Sequence, residues 1–255
     1  MTSSNQSPIN LYDLSRPALG ELLAGWGYSD YYAGVVWSGL YRELAESIAA
    51  IPALRPDLAE RLAAETGIGV LSTRSTIDSA DGHTEKYLLG LADAQAIETV
   101  LMYFRGRATA CVSTQVGCAM GCIFCATGQM GFRRHLSQGE IMAQIVHVAR
   151  TLRGRDDTLR NIVLMGMGEP LHNYDATMAA LDAAMDHRGL AIAPRFITLS
   201  TVGVVPGIRR LTEERRPFRL AVSLHGATDE ERRRLVPMAR RWSLAELIAA
   251  CRDYT

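Results

Sequence analysis

Apolar residues recur at helical spacing in the first quarter of the chain. Ser15 and Pro17 precede them, as an N-terminal cap and a first-turn proline would. Spacings of three and four residues are typical of one buried helix face. The residues with this spacing are Leu19, Leu22, Leu23 and Trp26. We therefore predict a small helical unit over residues 11–65.

From about residue 68 to residue 114, apolar positions come instead in short runs typical of β-strands. The runs are IGVLSTRS, KYLLGL, AIETVLMYF and ATACVSTQ, and LADAQA is predicted to be a hairpin link. We expect this β segment to join the helical unit to the rest of the chain.

Further along, candidate helices alternate with short apolar strands. Ser137-x-x-Glu140 is a capping box that opens a helix running to about Leu152. The strands are NIVLMGMG, FITLSTVG and RLAVSLHG, with helices near 174–187 and 207–214 and after Thr228-x-x-Glu231 and Ser243-x-x-Glu246. With the strand before the cysteine loop, these segments make four β-α units, so we predict an α/β fold with a parallel sheet.

RLAVSLHG is the last predicted strand. An apolar strand at the edge of a sheet leaves unpaired backbone groups, which proteins normally cover or close. We therefore expect either that the strand order places RLAVSLHG inside the sheet or that the chain is missing its end.

Composition and charge narrow the class of protein. No apolar run approaches the roughly 20 residues that span a bilayer, and residues 1–10 lack the features of a signal peptide. The 27 basic and 27 acidic residues cancel, so contact with nucleic acid would depend on local patches. Five unevenly spaced cysteines do not form a disulfide framework, and a local cluster more often binds metal. We expect a cytoplasmic protein.

Cys118, Cys122 and Cys125 form a C-x3-C-x2-C motif. A structural zinc site needs four ligands, and no second C-x2-C knuckle is present in the sequence, although His135 is a candidate for the fourth ligand. Three soft thiolates suit a four-iron cluster in which one iron stays open. The motif therefore favours a [4Fe-4S] cluster, with zinc as the alternative.

Four stretches around this motif resemble one family. CVSTQVGCAMGCIFCATGQMGF, LMGMGEPLHNYD, ITLSTVG and AVSLHGATDEERRRLVP closely resemble the RlmN family of dual-specificity 23S rRNA and tRNA adenine-C2 methyltransferases, and the related Cfr-type enzymes. These families belong to the radical S-adenosyl-L-methionine (SAM) superfamily. The resemblance extends from about Leu11 to Thr255.

The resemblance implies a partial radical SAM (β/α)6-type barrel with an N-terminal small helical domain and a short β extension. The helical accessory domain, which would bind RNA, covers residues 1–66. The β extension covers residues 67–110. A radical SAM core, incomplete at its C-terminus, covers residues 111–255.

The resemblance also implies which residues hold the cofactors. Cys118, Cys122 and Cys125 would carry the [4Fe-4S] cluster, whose free iron binds SAM. Gly168 and Glu169 would hold the methionine amino end of SAM. The remainder of the SAM site would be lined by Ser200, Ser223, Leu224 and His225.

Two further residues would take part in methyl transfer. In the family, a cysteine at the position of Cys111 resolves a covalent adduct between the enzyme and the RNA, and this leaves a disulfide with a second, methyl-carrying cysteine. Glu98 matches the family's proton acceptor, a role for which Cys111 competes.

The family's methyl-carrying cysteine lies beyond Thr255. Cys251 shares a helical apolar face with Leu244, Leu247 and Ile248, which predicts a core position for it. We therefore interpret the chain as an N-terminal fragment of an RlmN-like enzyme. We expect it to bind the cluster but to form little or no methyladenine from SAM and a reductant.

The partners that the resemblance implies are 23S rRNA, tRNA and an electron donor such as flavodoxin or ferredoxin. We expect a monomer that does not bind membranes. Exposing a base in folded RNA calls for a basic rim. Candidates for that rim are Arg105, Arg107, Arg133, Arg134, Arg215, Arg216, Arg219 and Arg232–Arg234. Two alternatives stay open: a Cfr-like adenine-C8 methyltransferase, and a non-catalytic RNA-binding fragment stabilised by a cluster or by zinc.

Overall fold

The computed structural model describes residues 8–104 and 106–254. Its N-terminal part is helical, as predicted for residues 11–65. Ser15 caps the first helix, because its Oγ accepts a hydrogen bond from the backbone N–H of Ala18, and Leu19 and Leu23 are buried. The helices of this part are α1 (Arg16–Gly25), α2 (Asp30–Tyr41) and α3 (Pro56–Glu65).

Seven of the strands form one mixed sheet. The strands of the described chain are β1 (Ile9–Asn10), β2 (Thr66–Gly67), β3 (Ser72–Asp78), β4 (Thr84–Gly90), β5 (Ala96–Phe104), β6 (Arg107–Cys111), β7 (Gln115–Gly117), β8 (Phe132–His135), β9 (Leu159–Leu164), β10 (Ile197–Thr201) and β11 (Arg219–Val222). The sheet order is β11-β10-β9-β6-β5-β4-β3, while β1 pairs with β2 and β7 with β8. Strands β6, β9, β10 and β11 are parallel, which confirms the predicted β-α units.

The predicted β segment extends this same sheet. Strands β3, β4, β5 and β6 pair antiparallel to one another, and β6 then pairs in parallel with β9. Strand β6 therefore joins the antiparallel half of the sheet to its parallel half.

Helices cover one face of the sheet. The remaining helices are α4 (Ala126–Gln129), α5 (Gln138–Arg153), α6 (Tyr174–Met185), α7 (Val205–Glu213), α8 (Asp229–Leu235) and α9 (Leu244–Tyr254). Helix α5 begins with the predicted capping box, in which Ser137 and Glu140 each accept from the other's backbone N–H. Helix α5 packs on α6, and α7 packs on α9.

The opposite side of the sheet, which we call the open face, is less buried. Strand pairing puts Val100, Cys111, Val163 and Thr198 on it in one row. Val100, Val163 and Thr198 are only half-buried. The main hydrophobic core therefore lies between the other face and the helices.

A buried amide joins the helical layer to the sheet. Oε1 of Gln144, on α5, accepts hydrogen bonds from Thr99 Oγ1 (2.8 Å) and from the backbone N–H of Ser113 (2.7 Å), and its Nε2 donates to the Ser113 carbonyl (2.9 Å). Gln144 is fully buried, so these bonds satisfy polar groups that would otherwise be costly to bury. They hold the backbone just after β6, where the cysteine-rich stretch begins.

Strand β11 lies at one edge and pairs only with β10 among the described strands. It has four residues and is therefore a short edge. No helix in the described part of the chain is long and apolar enough to cross a membrane.

The β7–β8 hairpin depends on a glycine. Gly117 has a φ of +74°, and a Cβ atom there would lie 1.8 Å from the carbonyl oxygen of Gly131. Gly131 has a similar φ of +75°, but a Cβ there meets nothing within 4 Å. Gly131 is therefore a matched control for the cost of the positive φ alone.

We predict that Gly117→Ala destabilises the protein by about 3 kcal/mol or more, because a backbone clash adds to the cost of the left-handed conformation. Gly131→Ala should cost about 1 kcal/mol. Urea denaturation of both variants measures the difference. Equal losses of stability would show that the contact with the Gly131 carbonyl is unimportant.

Candidate cofactor site

One cavity lies at the carboxyl ends of the parallel strands, where α/β proteins usually place their ligands. It brings together most of the site residues predicted from the sequence. Its walls include Cys118, Cys122, Cys125, Gly168, Glu169, Ser223 and His225.

The three cysteines of the motif are close to one another. Cys118 and Cys122 are buried and Cys125 is half-buried. Burial raises the pKa of Cys122 to about 11, and the neighbouring Cys118 and Cys125 add to the shift. The pKa of Cys118 is also raised, mainly by burial. A metal or cluster bound here would therefore displace protons from the thiols.

A small apolar cluster supports the cysteine loop. Cys118 and Cys122 pack with Met120, Val236 and Ala239. The backbone N–H of Ile123 donates to the carbonyl of Leu235, at the end of α8, over 3.1 Å. The loop is therefore held by the segment that follows β11 as well as by its own hairpin.

Arg232 corrects one prediction from the sequence. It was placed in a basic surface patch with Arg233 and Arg234, but it is only 2% exposed. Its Nη1 donates to the carbonyl of Leu224 and its Nη2 to the carbonyl of Val202. The guanidinium therefore connects the ends of β10 and β11 beneath the cysteine loop.

Glu169 is the buried carboxylate of the cavity. Oε1 accepts from the backbone N–H of Leu171 (3.0 Å) and Oε2 from that of Val202 (2.9 Å). Burial raises the pKa of Glu169 to about 7, against the effect of these hydrogen bonds. A cationic ligand in the cavity would favour the charged carboxylate.

The remaining residues predicted for the SAM site divide into two groups. Ser223 and His225 line the cavity, and Ser200 Oγ lies 3.5 Å from Ser223 Oγ. His225 has a φ of +56°, and its ring is 4.2 Å from that of Phe124. The side chain of Leu224 packs against the main core instead, so it does not line the cavity.

Cys111 and Glu98 lie outside the cavity. Cys111 is buried at the end of β6, where burial raises its pKa to about 11 and a hydrogen bond from the backbone of Met165 partly opposes the shift. Glu98 lies on β5 and pairs with Lys86, the only lysine, over 2.9 Å. Both residues belong to the open face, because Cys111 pairs with Val100, two residues from Glu98.

The fifth cysteine lies elsewhere. Cys251 is half-buried on α9 and packs against the main core, as predicted, together with the buried Leu247. Ile248, predicted on the same face, is exposed instead. All five cysteines are free thiols.

The fourth ligand considered for zinc lies outside the cavity. His135 contacts Gln115 and His172 and does not line the cavity. No group of three or more His, Cys, Asp and Glu side chains among the described residues is arranged to hold a single metal ion. By donor chemistry alone, three soft thiols suit an iron–sulfur cluster.

The predicted arginine rim is only partly available. Arg134 pairs with Asp93 and Glu140, and other ion pairs engage Arg216 and Arg234. Arg105 lies outside the described residues. The rim arginines that are exposed, with no ion pair to a described residue, are Arg107, Arg133, Arg215, Arg219 and Arg233.

Sequence reasoning missed two residues of the site. Gln115 is fully buried, and its Oε1 accepts a hydrogen bond from the backbone N–H of Glu169 over 3.0 Å. Val202 holds Glu169 through its own backbone N–H. An isolated glutamine or valine in a strand-like run carries no chemical signal, so only the folded chain identifies them.

Comparisons with known proteins identify the family of this chain. The model of the Radical SAM superfamily matches residues 112–255. Dual-specificity RNA methyltransferase RlmN 1 from Myxococcus xanthus is 61% identical over 251 residues, which are 98% of this chain and 70% of that protein. A probable dual-specificity RNA methyltransferase RlmN 2 from Opitutus terrae is 52% identical, over all of this chain and 67% of the relative.

A solved structure shows the same fold. The crystal structure of a radical SAM methyltransferase from Sphaerobacter thermophilus matches with a TM-score of 0.93 and 46% identity, over 97% of this chain and 72% of that chain. The family model and this structural match thus define a radical SAM protein. Within that superfamily, the chain belongs to the RlmN family of RNA methyltransferases, which confirms the resemblance and the fold class predicted from the sequence.

We predict that Arg232→Met destabilises the protein by about 2 kcal/mol, because the carbonyls of Val202 and Leu224 lose a buried donor. Arg233→Met is the matched control, since Arg233 is exposed on the same helix, and it should change stability by less than about 0.5 kcal/mol. Urea denaturation measures both effects. If the two variants are equally stable, Arg232 does not hold the two strand ends together.

Proposed function

We propose that this protein is a radical SAM methyltransferase that acts on C2 of adenosine in 23S rRNA and tRNA through a methyl-cysteine intermediate. The observation that carries the proposal is the cavity where three thiols and a buried carboxylate meet at the ends of parallel strands. Membership of the RlmN family supports the choice of reaction and substrate.

Cys118, Cys122 and Cys125 would hold a [4Fe-4S] cluster. Held by these three residues, the cluster would supply the electron for reductive cleavage of SAM. The thiols stand on a loop that is already packed by Met120 and Val236. The protein's contribution is therefore to present three ligands at fixed positions and to leave the fourth coordination position open.

Glu169 would bind the amino group of SAM. Both of its carboxylate oxygens already accept backbone N–H groups, which fixes their orientation. A hydrogen bond between a carboxylate and an ammonium is charge-assisted and therefore strong. Gly168, with a φ of +100°, places this carboxylate at the cavity wall. Ser223 and His225 would contact other parts of the cofactor.

Cys111 and Glu98 would act on the RNA from the open face. In this proposal the Cys111 thiolate attacks the sulfur of the methyl-carrying cysteine in the enzyme–RNA adduct. An S–S bond forms and the S–CH2 bond breaks, and the electron pair left on the base-bound carbon takes up a proton, which releases the methylated base. Glu98, which is held by Lys86, is the candidate proton acceptor. Cys251 does not suit the methyl-carrying role, because it packs against the main core from α9, whereas Cys111 lies on the open face.

The remaining partners follow from this reaction. A cytoplasmic location suits the proposed RNA substrates, and the cluster would require an electron donor such as flavodoxin or ferredoxin. The exposed arginines without ion pairs, such as Arg133 and Arg219, are candidates for phosphate contacts. We propose that the protein acts as a monomer.

We predict that Cys118→Ala, Cys122→Ala and Cys125→Ala each abolish stable cluster binding. In each variant only two thiolates remain to bind the [4Fe-4S] cluster, so a second iron loses its protein ligand. Cys111→Ala and Cys251→Ala are matched controls and should keep the full iron and sulfide content. Anaerobic reconstitution followed by iron, sulfide and zinc analysis measures the outcome. Stoichiometric zinc without sulfide in the unaltered protein would contradict the cluster.

The reaction product tests the proposed function. Reconstituted protein given SAM, a reductant and tRNA should release 5′-deoxyadenosine but form little methyladenine, because no cysteine among the described residues lies on the open face opposite Cys111. Whatever methyladenine forms should carry the methyl group at C2. Mass spectrometry of the digested RNA separates the isomers: methylation at C8 would indicate the Cfr-like alternative, and abundant turnover would refute the assignment of Cys251 to the core.

A further inference from the structure

Three exposed rings form a cluster next to the cofactor cavity but outside it. We call Phe132, His135 and His172 the ring cluster. The ring centroids of His135 and His172 are 4.9 Å apart, and Phe132 lies 5.1 Å from His135 and 5.7 Å from His172. Phe132 is 39% exposed and both histidines are exposed. None of the three lines the cavity.

A β-bulge places Phe132 and His135 on the same side of strand β8. His135 pairs with Gln115 and Arg134 with Val116, but Gly117 pairs with Phe132, so that Arg133 is the extra residue. In a regular strand, residues three apart point to opposite sides. One inserted residue reverses that alternation, and bulges of this kind often re-aim side chains near active sites.

Gln115 determines which nitrogen of each histidine carries the proton. The backbone N–H of Glu169 donates to Oε1 of Gln115, which identifies the oxygen. The Gln115 Nε2 group therefore faces both histidines, 3.1 Å from Nδ1 of His135 and 3.0 Å from Nδ1 of His172. An amide NH₂ group donates two hydrogen bonds and accepts none. Both Nδ1 atoms must then be acceptors, so each neutral ring carries its proton on Nε2.

This arrangement disfavours a metal ion. A histidine that binds metal through Nε2 normally donates its Nδ1–H to an acceptor. Here Nδ1 of each ring meets a donor instead. The two Nε2–H groups have no partner among the described residues, and they belong to exposed side chains. They are therefore available as hydrogen-bond donors to a ligand at the surface.

One exposed cation lies on the same strand as Phe132 and His135 and could contact an anionic group. Arg133, the bulge residue, is exposed and has no ion pair within the described chain. The next residue, Arg134, is shared between Asp93 and Glu140, so its single charge offsets one of these two carboxylates. Burial and the neighbouring His172 lower the pKa of His135, which favours its neutral ring. Arg133 is therefore the cation at this strand that no ion pair with a described residue engages.

We propose that the ring cluster is a subsite for an unpaired nucleotide of the RNA substrate. The base stacks on Phe132, and the Nε2–H groups of His135 and His172 donate to the nucleotide's acceptor atoms. Arg133 pairs with the adjoining phosphate. Aromatic rings can stack on a base, N–H groups can donate to its acceptor atoms, and a cation can pair with its phosphate. An acidic protein partner would pair with the cation but would not stack on the rings. The inference rests on the proposed RNA substrate and deepens it.

Gln115 links the ring cluster to the cofactor cavity. Gln115 contacts both histidines with its NH₂ group and the backbone of Glu169 with its oxygen. A nucleotide on the ring cluster would therefore lie one buried side chain away from the residue that would hold the amino end of SAM. Such a subsite would orient RNA relative to the cavity without touching the reacting base.

Binding of two RNA probes tests the proposal. The probes are a fluorescent single-stranded oligoadenylate and a fully paired RNA duplex of the same length. The doubly substituted variant His135→Ala/His172→Ala should bind the oligoadenylate about tenfold more weakly than the unaltered protein does, and should bind the duplex equally well. His187→Ala is the matched control, because the His187 side chain is 79% exposed and lies outside the ring cluster; it should bind like the unaltered protein.

A second variant separates donation from stacking. His172→Phe keeps a ring but removes a donor, so its affinity should fall between that of the unaltered protein and that of the double variant. Two-bond ¹H–¹⁵N correlation spectra of histidine-labelled protein, recorded at a pH at which both rings are neutral, should show Nε2–H tautomers for His135 and His172. A protonated Nδ1 in these spectra would refute the assigned tautomers and with them the subsite.

The outcomes distinguish this subsite from the proposed function. If the unaltered protein binds oligoadenylate and the double variant binds it equally well, the subsite is refuted while the proposed function stands. If the unaltered protein binds neither probe, both proposals fail. If the double variant instead loses affinity only for an acidic flavoprotein, the ring cluster serves the electron donor, and the RNA subsite is overturned.

Discussion

The close approach of two backbone segments underlies the whole site. One segment follows β6 and the other is the GMGE turn after β9. Met167 donates to Ser113 Oγ over 2.8 Å, and its carbonyl accepts from Thr114 over 2.8 Å. A Cβ at Gly166 would lie 2.8 Å from the Val112 carbonyl, and one at Gly168 would lie 2.6 Å from the Cβ of Gln115. Only glycine allows the two segments to pack this closely.

This contact places the cysteine thiols next to the buried carboxylate. The first segment leads into the cysteine loop, and the second carries Glu169. Because Gln115 accepts from the Glu169 backbone, the positions of the thiols and of the carboxylate are not independent. Arg232 adds a second constraint from the opposite side, since it donates to the strand ends after β10 and β11. The cavity is thus bounded by four strand ends whose relative positions are each fixed by buried hydrogen bonds.

The sequence predicted the elements better than their contacts. Helix α5 has a local signal, the capping box of Ser137 and Glu140, and strand β5 has a regular apolar run, so both were recognisable without tertiary information. The cysteine motif was recognisable because its spacing is short. Arg232 was misplaced because nothing local distinguishes it from Arg233; only the packing of α8 against two distant strands buries it.

The bulge in β8 also depends on contacts between segments that are distant in the sequence. Phe132 and His135 are three residues apart, and an ideal strand would separate them. Their common side results from pairing with β7, where Gly117 and Val116 face strand residues that are not consecutive. Sequence periodicity contains no information about such an insertion, because it depends on the partner strand. The ring cluster therefore could not be predicted from the sequence, because it depends on how β8 pairs with β7 in the folded chain.

The burial of the thiols has a consequence for loading of the site. Neutral cysteines behave as small apolar groups, and Cys118 and Cys122 are packed as such with Met120 and Val236. Burial raises the pKa of both thiols, so a metal or cluster at the cavity has to displace their protons. The same packing also holds the cysteine loop against the segment that follows β11. The contacts that position the thiols at the cavity wall are thus the contacts that make their protons harder to remove.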